Sequence, residues 1–366
     1  MRKLFRKILV YLTWVLAILL SMANLTVYIS PETYWPTAFL GLLFPFLLVF
    51  TIALFFYWTI RLRKLLILPL LALIISWNNV ENSFQLSGEQ TSIAEKQTGV
   101  TNELKIMTYN VQIFNLLGNA SFGKHQQEMF AKIKAEDPDI ICLQEFYTNT
   151  EKGLSLYKID RLLSDYPHKH IYWINNSTLA NYGIVTYSKY PIVKKKSIGF
   201  QNTFNASIYS DIKFGEDTLR IFNNHLQSIK FDRDNYEFIT NQNQYNQQEK
   251  LNALKDISSR LKRAFIKRSD QANLLAEKIS QSPYSVIVCG DFNDTPVSYS
   301  YHKIRGELED TFVNAGVGFG YTYVGKFPSY RIDFIFHSKE MATKSFRVPR
   351  IKYSDHYPVT SELIIK

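Results

Sequence analysis

Apolar side chains fall into two regimes along this chain. Up to about residue 80 they run almost unbroken, with no charged side chain from Ile8 to Pro31 or from Thr33 to Ile60. Beyond residue 104 they break into short runs separated by polar turns. Each charge-free stretch of the first regime exceeds the roughly 20 residues that cross a hydrocarbon core. The pattern predicts an all-α membrane anchor over residues 1–80, with spans near 8–29 and 37–60. A third run, near 65–78, is shorter and carries Pro69.

The second regime predicts an α/β domain over residues 104–366. Runs rich in β-branched and aromatic residues mark strands at Leu104–Val111, Ile140–Leu143, Tyr182–Tyr187, Ser207–Lys213, Leu219–Asn224, Ser285–Cys289, Ile332–His337 and Val359–Ile365. Helical spacing marks Lys124–Glu136, and a long stretch over Gln244–Ser280 that stops before Ser282-Pro283. Hairpin-like and helix-separated strands both occur, which implies mixed sheets. Residues 81–103 are polar without strong periodicity and read as a linker.

Charge sharpens this division. Residues 1–80 hold seven basic side chains and one acid, Glu32, of the 42 and 32 in the whole chain. The remaining 35 basic and 31 acidic residues leave 81–366 at only +4, so the net +10 is poor evidence for nucleic-acid binding. Arg2, Lys3, Arg6 and Lys7, with Arg61, Arg63 and Lys64, flank the apolar runs, and the Ser30–Trp35 connection has no basic residue. The positive-inside rule places both basic clusters in the cytoplasm. Three spans then put the α/β domain on the opposite side, in the periplasm if this is a bacterial inner-membrane protein. If Leu65–Ile75 only dips into the bilayer, that domain is cytosolic. Two apolar runs directly behind the first argue against a cleaved signal peptide. Cys142 and Cys289 sit within apolar strands, as buried free thiols do, and no Cys/His spacing suggests zinc.

A recurrent grammar carries the chemistry: an apolar strand ends, and a group able to hold metal or phosphate follows. It recurs at Tyr109-Asn110, Gln144-Glu145, Asn223-Asn224-His225, Gly290-Asp291-Phe292-Asn293 and Ser354-Asp355-His356-Tyr357-Pro358. Singly, each is ordinary: Gly-Asp-x-Asn is commonly a turn, and a lone His after a strand is usually structural. Jointly, at successive strand ends, they describe one site held by a rigid sheet.

The ordered set Tyr-Asn, Gln-Glu, Asn-x-His-Leu, Gly-Asp-Phe-Asn, Arg-Ile-Asp and Ser-Asp-His-x-Pro resembles the endonuclease/exonuclease/phosphatase superfamily, from Leu104 to the C-terminus. The resemblance implies a four-layer αββα sandwich and a Mg²⁺- or Mn²⁺-dependent site. It implies metal ligation by Glu145, with Asn110 and Asp355 beside it. It makes Asp291 the group that activates water and gives Asn293 the phosphoryl oxygens. It makes His356 the stabiliser of developing charge, Asp333 the group that orients His356, and His225 a second phosphate contact or proton donor. Two amides precede His225, and which of them faces the site is open.

Substrate choice is less legible. Lys250, Lys255, Arg260, Lys262, Arg263, Lys267 and Arg268 could track a polyanion or rest on anionic headgroups, although Glu249, Asp256 and Asp270 interleave them as on a solvated helix face. The expected activity is phosphodiester hydrolysis, with nucleic acid as first substrate class. A phospholipid headgroup or inositol phosphate is the alternative, and a non-catalytic binding role on the same fold is the third. No protein partner is inferable.

Overall fold

The computed structural model describes residues 2–88, 102–115, 122–151, 153–175, 177–229, 231, 233–241, 244–325 and 329–365. The chain divides into two compact units. The first comprises Met1–Phe84, Phe231–Leu274 and Asp294–Ile304, and the second Gln85–Lys230, Leu275–Asn293 and Arg305–Lys366.

The first unit is helical. α1 (Arg2–Ala23) and α3 (Pro36–Ile60) are joined through a short turn containing α2 (Pro31–Tyr34). Lys3–Val27 and Pro36–Ile60 are long and apolar enough to cross a membrane. α3 keeps Pro45 inside it, which membrane helices tolerate. The third apolar run forms α4 (Ile67–Ile75) and α5 (Trp77–Ser83), bent by 60°. The bend falls at Ser76, not at Pro69. There Asn24 Nδ2 donates to Ser76 Oγ (2.9 Å), and Asn79 Nδ2 donates to Asn24 Oδ1 (2.7 Å). Trp58 Nε1 likewise donates to Thr13 Oγ1 (2.8 Å), so side-chain hydrogen bonds tie the helices together. α9 (Arg233–Thr240), α10 (Gln247–Ser280) up to Leu274, and most of α11 (Tyr299–Arg305) complete the unit.

The second unit holds two six-stranded sheets. The first runs β11-β12-β1-β2-β4-β3: Met341–Arg347, Val359–Ile365, Asn102–Asn110, Ile140–Asn149, Ala180–Ser188 and His168–Trp173. The second runs β5-β6-β7-β8-β10-β9: Ile192–Gly199, Ala206–Phe214, Asp217–His225, Val286–Asp291, Asp333–His337 and Glu309–Asp310. Both are mixed, with β1–β2 and β7–β8 parallel and the other pairs antiparallel. Leu104, Ile106, Ile140 and Cys142 from one sheet pack against Ile212, Ile221, Ile287 and Ile335 from the other. The opposite face of the first sheet buries Met107, Tyr109, Leu143 and Val185 against α7 (Phe122–Ala135) and α8 (Leu156–Leu162), through Met129, Phe130, Ile133 and Ile159. α12 (Thr311–Ala315) lies beside β11, with Phe312 edge-on to Phe346. This is the expected α/β sandwich with mixed sheets.

Cys142 and Cys289 are buried free thiols, as expected. Within the predicted linker, Gln85 pairs with Gly318; residues 89–101 lie outside the described residues.

Candidate functional site

Parallel pairing brings the polar strand ends together, because two parallel strands finish at the same edge. Asn110, the last residue of β1, sits opposite Gln144 of β2. His225, the last of β7, sits opposite Asp291, the last of β8. Asp333 opens β10 directly across from Asp291, and His356 lies in the loop entering β12.

Two backbone devices aim the carboxylates. The β2–β4 register slips between Leu143 and Phe146, and within that bulge Glu145 takes φ +52°. The bulge turns its side chain out of the regular alternation. At Gly290, φ is +135° and a Cβ would lie 2.0 Å from the Asn224 carbonyl oxygen, so only glycine lets β8 deliver Asp291 beside β7.

Asp291 is the hub. Its Oδ2 accepts from Asn110 Nδ2 (2.9 Å) and Asn293 Nδ2 (3.1 Å), and its Oδ1 accepts from the Asn293 amide (2.7 Å). His225 Nε2 and His356 Nε2 stand 3.7 and 3.8 Å from the same Oδ2. Asn110 Nδ2 also reaches Glu145 Oε1 (3.3 Å), and His225 Nε2 lies 3.8 Å from that oxygen. His356 Nδ1 lies 2.9 Å from Asp333 Oδ2. Asp355 packs through Ser354, whose hydroxyl lies 3.4 Å from its Oδ1, and through its amide, which donates to Gln112 Oε1 (3.2 Å). All eight predicted residues therefore meet at one edge of the sandwich.

Electrostatics divide the groups into roles. Burial raises the Glu145 carboxyl to about 7, against the pull of His356 and with a push from Asp355. Burial likewise lifts Asp291 and Asp355 above the ordinary carboxylate range. Burial would lower His356, but Asp333 and then Asp291 raise it to about 10. His225, equally enclosed, is pushed down to about 4. One imidazole is thus charged and the other neutral at pH 7.

The pair of amides before His225 resolves by strand alternation. Asn223 shares His225's side of β7, and it bridges the sheets by accepting from Gln144 Nε2 (2.7 Å) and donating to the Val185 carbonyl (2.8 Å). Asn224 faces the other way and donates to the Cys289 carbonyl (2.9 Å). Neither hydrogen-bonds a site carboxylate among the described residues. Asn110 turns its nitrogen to the carboxylates, while its Oδ1 accepts from the Gln112 amide (3.0 Å).

Three residues beyond those predicted support the site. Gln112 opens α6 (Gln112–Asn115), whose four residues all have φ near +50°. Thr322 Oγ1 accepts from the Ile332 and Asp333 amides (3.1 and 3.2 Å) and so seats Asp333. Tyr323 lies edge-on to the His356 ring with centroids 5.3 Å apart. None has a sequence signal of its own, since each acts through backbone geometry or ring packing.

The donor set suits a hard divalent cation, because carboxylate oxygens crowd one another there. Asp291, Asp333 and His356 offer ligand atoms within 4.8 Å of one another. Asp333 Oδ1 and His225 Nε2 are buried without a hydrogen-bond partner.

The family model for the endonuclease/exonuclease/phosphatase family matches residues 107–356, and a domain of unknown function, DUF8431, matches residues 6–83. Among solved structures, an endonuclease/exonuclease/phosphatase from Bacteroides vulgatus aligns over 72% of this chain and 99% of its own, at 18% identity and TM-score 0.51. The human nocturnin catalytic domain with bound sulfate aligns over 73% and 96%, at 15% identity and TM-score 0.50. TDP2 from Caenorhabditis elegans aligns over 81% and 84%, at 18% identity and TM-score 0.50. No curated protein matches the chain. A family model spanning more than half of the chain, over the residues that build this site, makes the protein a member of the endonuclease/exonuclease/phosphatase family, whose enzymes hydrolyse phosphoric esters.

Proposed function

We propose that this chain is a membrane-tethered, divalent-metal-dependent phosphodiesterase, with nucleic acid as its first substrate class. The observation that carries the reading is the line Asp333–His356–Asp291, in which a charged imidazole stands between an orienting carboxylate and a carboxylate held by two amides. His356 Nδ1 is already engaged by Asp333, so Glu145 and Asp355 are the residues that would hold Mg²⁺ or Mn²⁺. The bound ion would supply neutralisation of the phosphoryl oxygens.

The chain's own residues then have distinct tasks. Asn110 and Asn293 fix the Asp291 carboxylate, which orients a water and takes its proton. The Asn293 amide group also borders the position of the phosphoryl oxygens. His356 donates to a non-bridging oxygen as charge grows there, and Asp333 keeps its tautomer and charge. His225 is neutral at pH 7, which suits a phosphate contact that accepts or passes a proton without adding fixed charge. A non-catalytic role would not require the full set of these groups in mutual reach.

Phe265 of α10 packs edge-on to Phe39 near the start of α3, with centroids 5.3 Å apart. That end of α3 is remote from Arg61, Arg63 and Lys64. A chain that returns to it after Lys64 has crossed the bilayer a third time, which favours α4–α5 as a bent span and an extracytoplasmic catalytic domain.

A second reading, hydrolysis of a lipid headgroup ester, is favoured by the membrane helices themselves, which keep the enzyme at that substrate's surface. The experiment is a substrate panel on full-length protein in detergent: single-stranded and duplex DNA, RNA, and mixed micelles of phospholipid, each with Mg²⁺ or EDTA. Preferred cleavage of polynucleotide supports the first reading, and headgroup release from micelles the second.

A further inference from the structure

Helix α10 presents a mixed apolar and basic face beside the end of the membrane helices. Lys262 Nζ stands 5.0 Å from the centroid of the Trp35 ring, and Phe265 one turn later packs on Phe39. Trp35 is itself edge-on to Phe39, with centroids 5.7 Å apart. Tryptophan at the end of a span settles at headgroup level, so an ammonium held over its face lies at that level too.

The same face of α10 continues toward its N-terminus without cover. Leu254, Lys255, Ser258 and Lys262 lie three, four, seven and eleven residues after Leu251, which places all five on one side of the helix. All five are exposed, with Leu251 at 46% and Leu254 at 52%. The adjoining stripe, farther along the helix, is buried through Leu261, Ala264, Arg268 and Ala272. A solvated helix face explains the lysines but not two exposed leucines beside them. A helix lying in a membrane interface wants both, the leucines among acyl chains and the lysines among phosphates.

We infer that this face of α10 binds an anionic phospholipid surface in the leaflet at the Trp35 end of the anchor. Continuity with the Trp35–Lys262 and Phe39–Phe265 contacts and charge complementarity both select that occupant. This inference rests on the reading of α1 and α3 as membrane spans. Nucleic acid is the competing polyanion, but apolar side chains one turn apart do not serve a backbone-tracking groove.

The test uses the full chain with Leu254→Cys carrying an environment-sensitive fluorophore, in vesicles of phosphatidylcholine alone or mixed with phosphatidylglycerol. The unsubstituted chain controls for labelling of the two buried native thiols. The expected result is quenching by a lipid-borne nitroxide, stronger in the anionic vesicles. Lys255→Gln and Lys262→Gln should each lower the ratio of lipid-inserted to free probe about fivefold in those vesicles. A probe that iodide quenches from water as fully in vesicles as in detergent, with no effect of lipid nitroxide, overturns the inference. Protection by an added oligonucleotide, again without lipid quenching, also overturns it, in favour of nucleic acid. Carbonate extraction separates the two levels: release of the chain defeats the anchor reading and this inference together, whereas retention with a water-exposed probe defeats this inference alone.

Discussion

His356 and Asp333, both buried, are joined through Nδ1 and Oδ2 at 2.9 Å, while the other Asp333 oxygen has no hydrogen-bond partner. The pair fixes the direction in which His356 Nε2 points, toward Asp291 and the space where a phosphoryl oxygen would sit. Asp333→Asn keeps the shape but removes the charge that raises the imidazole. Turnover of a phosphodiester should fall by about 10- to 100-fold with little change in KM. The ¹⁵N shifts of His356 should move toward the neutral form at pH 7. Unchanged shifts and unchanged kcat would remove Asp333 from its orienting role.

Glu145 carries the cation prediction. Replacing it by Gln keeps the volume but deletes a charge from the crowded carboxylate group, so affinity for Mg²⁺ or Mn²⁺ should drop by about tenfold or more. Calorimetric titration of the full chain reads this directly, independently of turnover. Equal affinity in the variant would move the cation to the other side of Asp291.

Gly290→Ala tests the backbone device at the site. The new methyl must displace the Asn224 carbonyl from 2.0 Å while the residue holds φ +135°. The expected cost is about 2 kcal/mol or more in stability, with loss of activity in the folded fraction, measured by denaturant unfolding. Near wild-type behaviour would mean that β7 and β8 can separate without penalty.

A pH dependence follows from His170, remote from the site on β3. Its Nδ1 meets Ser210 Oγ of β6 at 2.9 Å, and burial, helped by Lys195, lowers its pKa from 6.5 to about 4. Between those values the unfolded chain binds the proton and the folded one does not. Stability from this residue is therefore present above pH 6.5 and lost as pH falls toward 4. His170→Gln retains a hydrogen-bonding group without a titration, so its unfolding free energy should fall less over that window. Parallel curves for the two proteins would contradict the assignment.

Most of the second unit was legible because its inner strands bury an apolar face in the core between the sheets: β1, β7, β8 and β12 appear within two residues of their expected bounds. His168–Trp173 and Met341–Arg347 were not expected as strands. Both lie at the sheet edges, where half-exposed positions carry Lys, His or Arg and little apolar signal. Lys194-Lys195-Lys196 lies in the middle of the edge strand β5, where lysines guard an open edge. The long helix expected from Gln244 begins at Gln247. The site residues were readable as types at strand ends, but not the left-handed turn at Glu145, which no glycine announces. Nor was the orientation of the Asn110 amide, which is set by Gln112. Periodicity gave α10 a helical face but could not name Trp35 and Phe39 as what that face meets. The bend at Ser76 was hidden for the same reason, since it depends on Asn24, 52 residues earlier.

The proposed function turns on Asp291 as the group that activates water at a divalent-cation-dependent site. The direct measurement is turnover of bis-p-nitrophenyl phosphate by the full chain and by Asp291→Ala, each with Mg²⁺, with Mn²⁺ and with EDTA. The prediction is cation-dependent cleavage by the native chain, abolished by EDTA and lowered by about 10²- to 10⁴-fold in the variant, with the fold unchanged by circular dichroism. Cleavage that survives the Asp291→Ala substitution at near-native rate, or that ignores EDTA, would rule out that role.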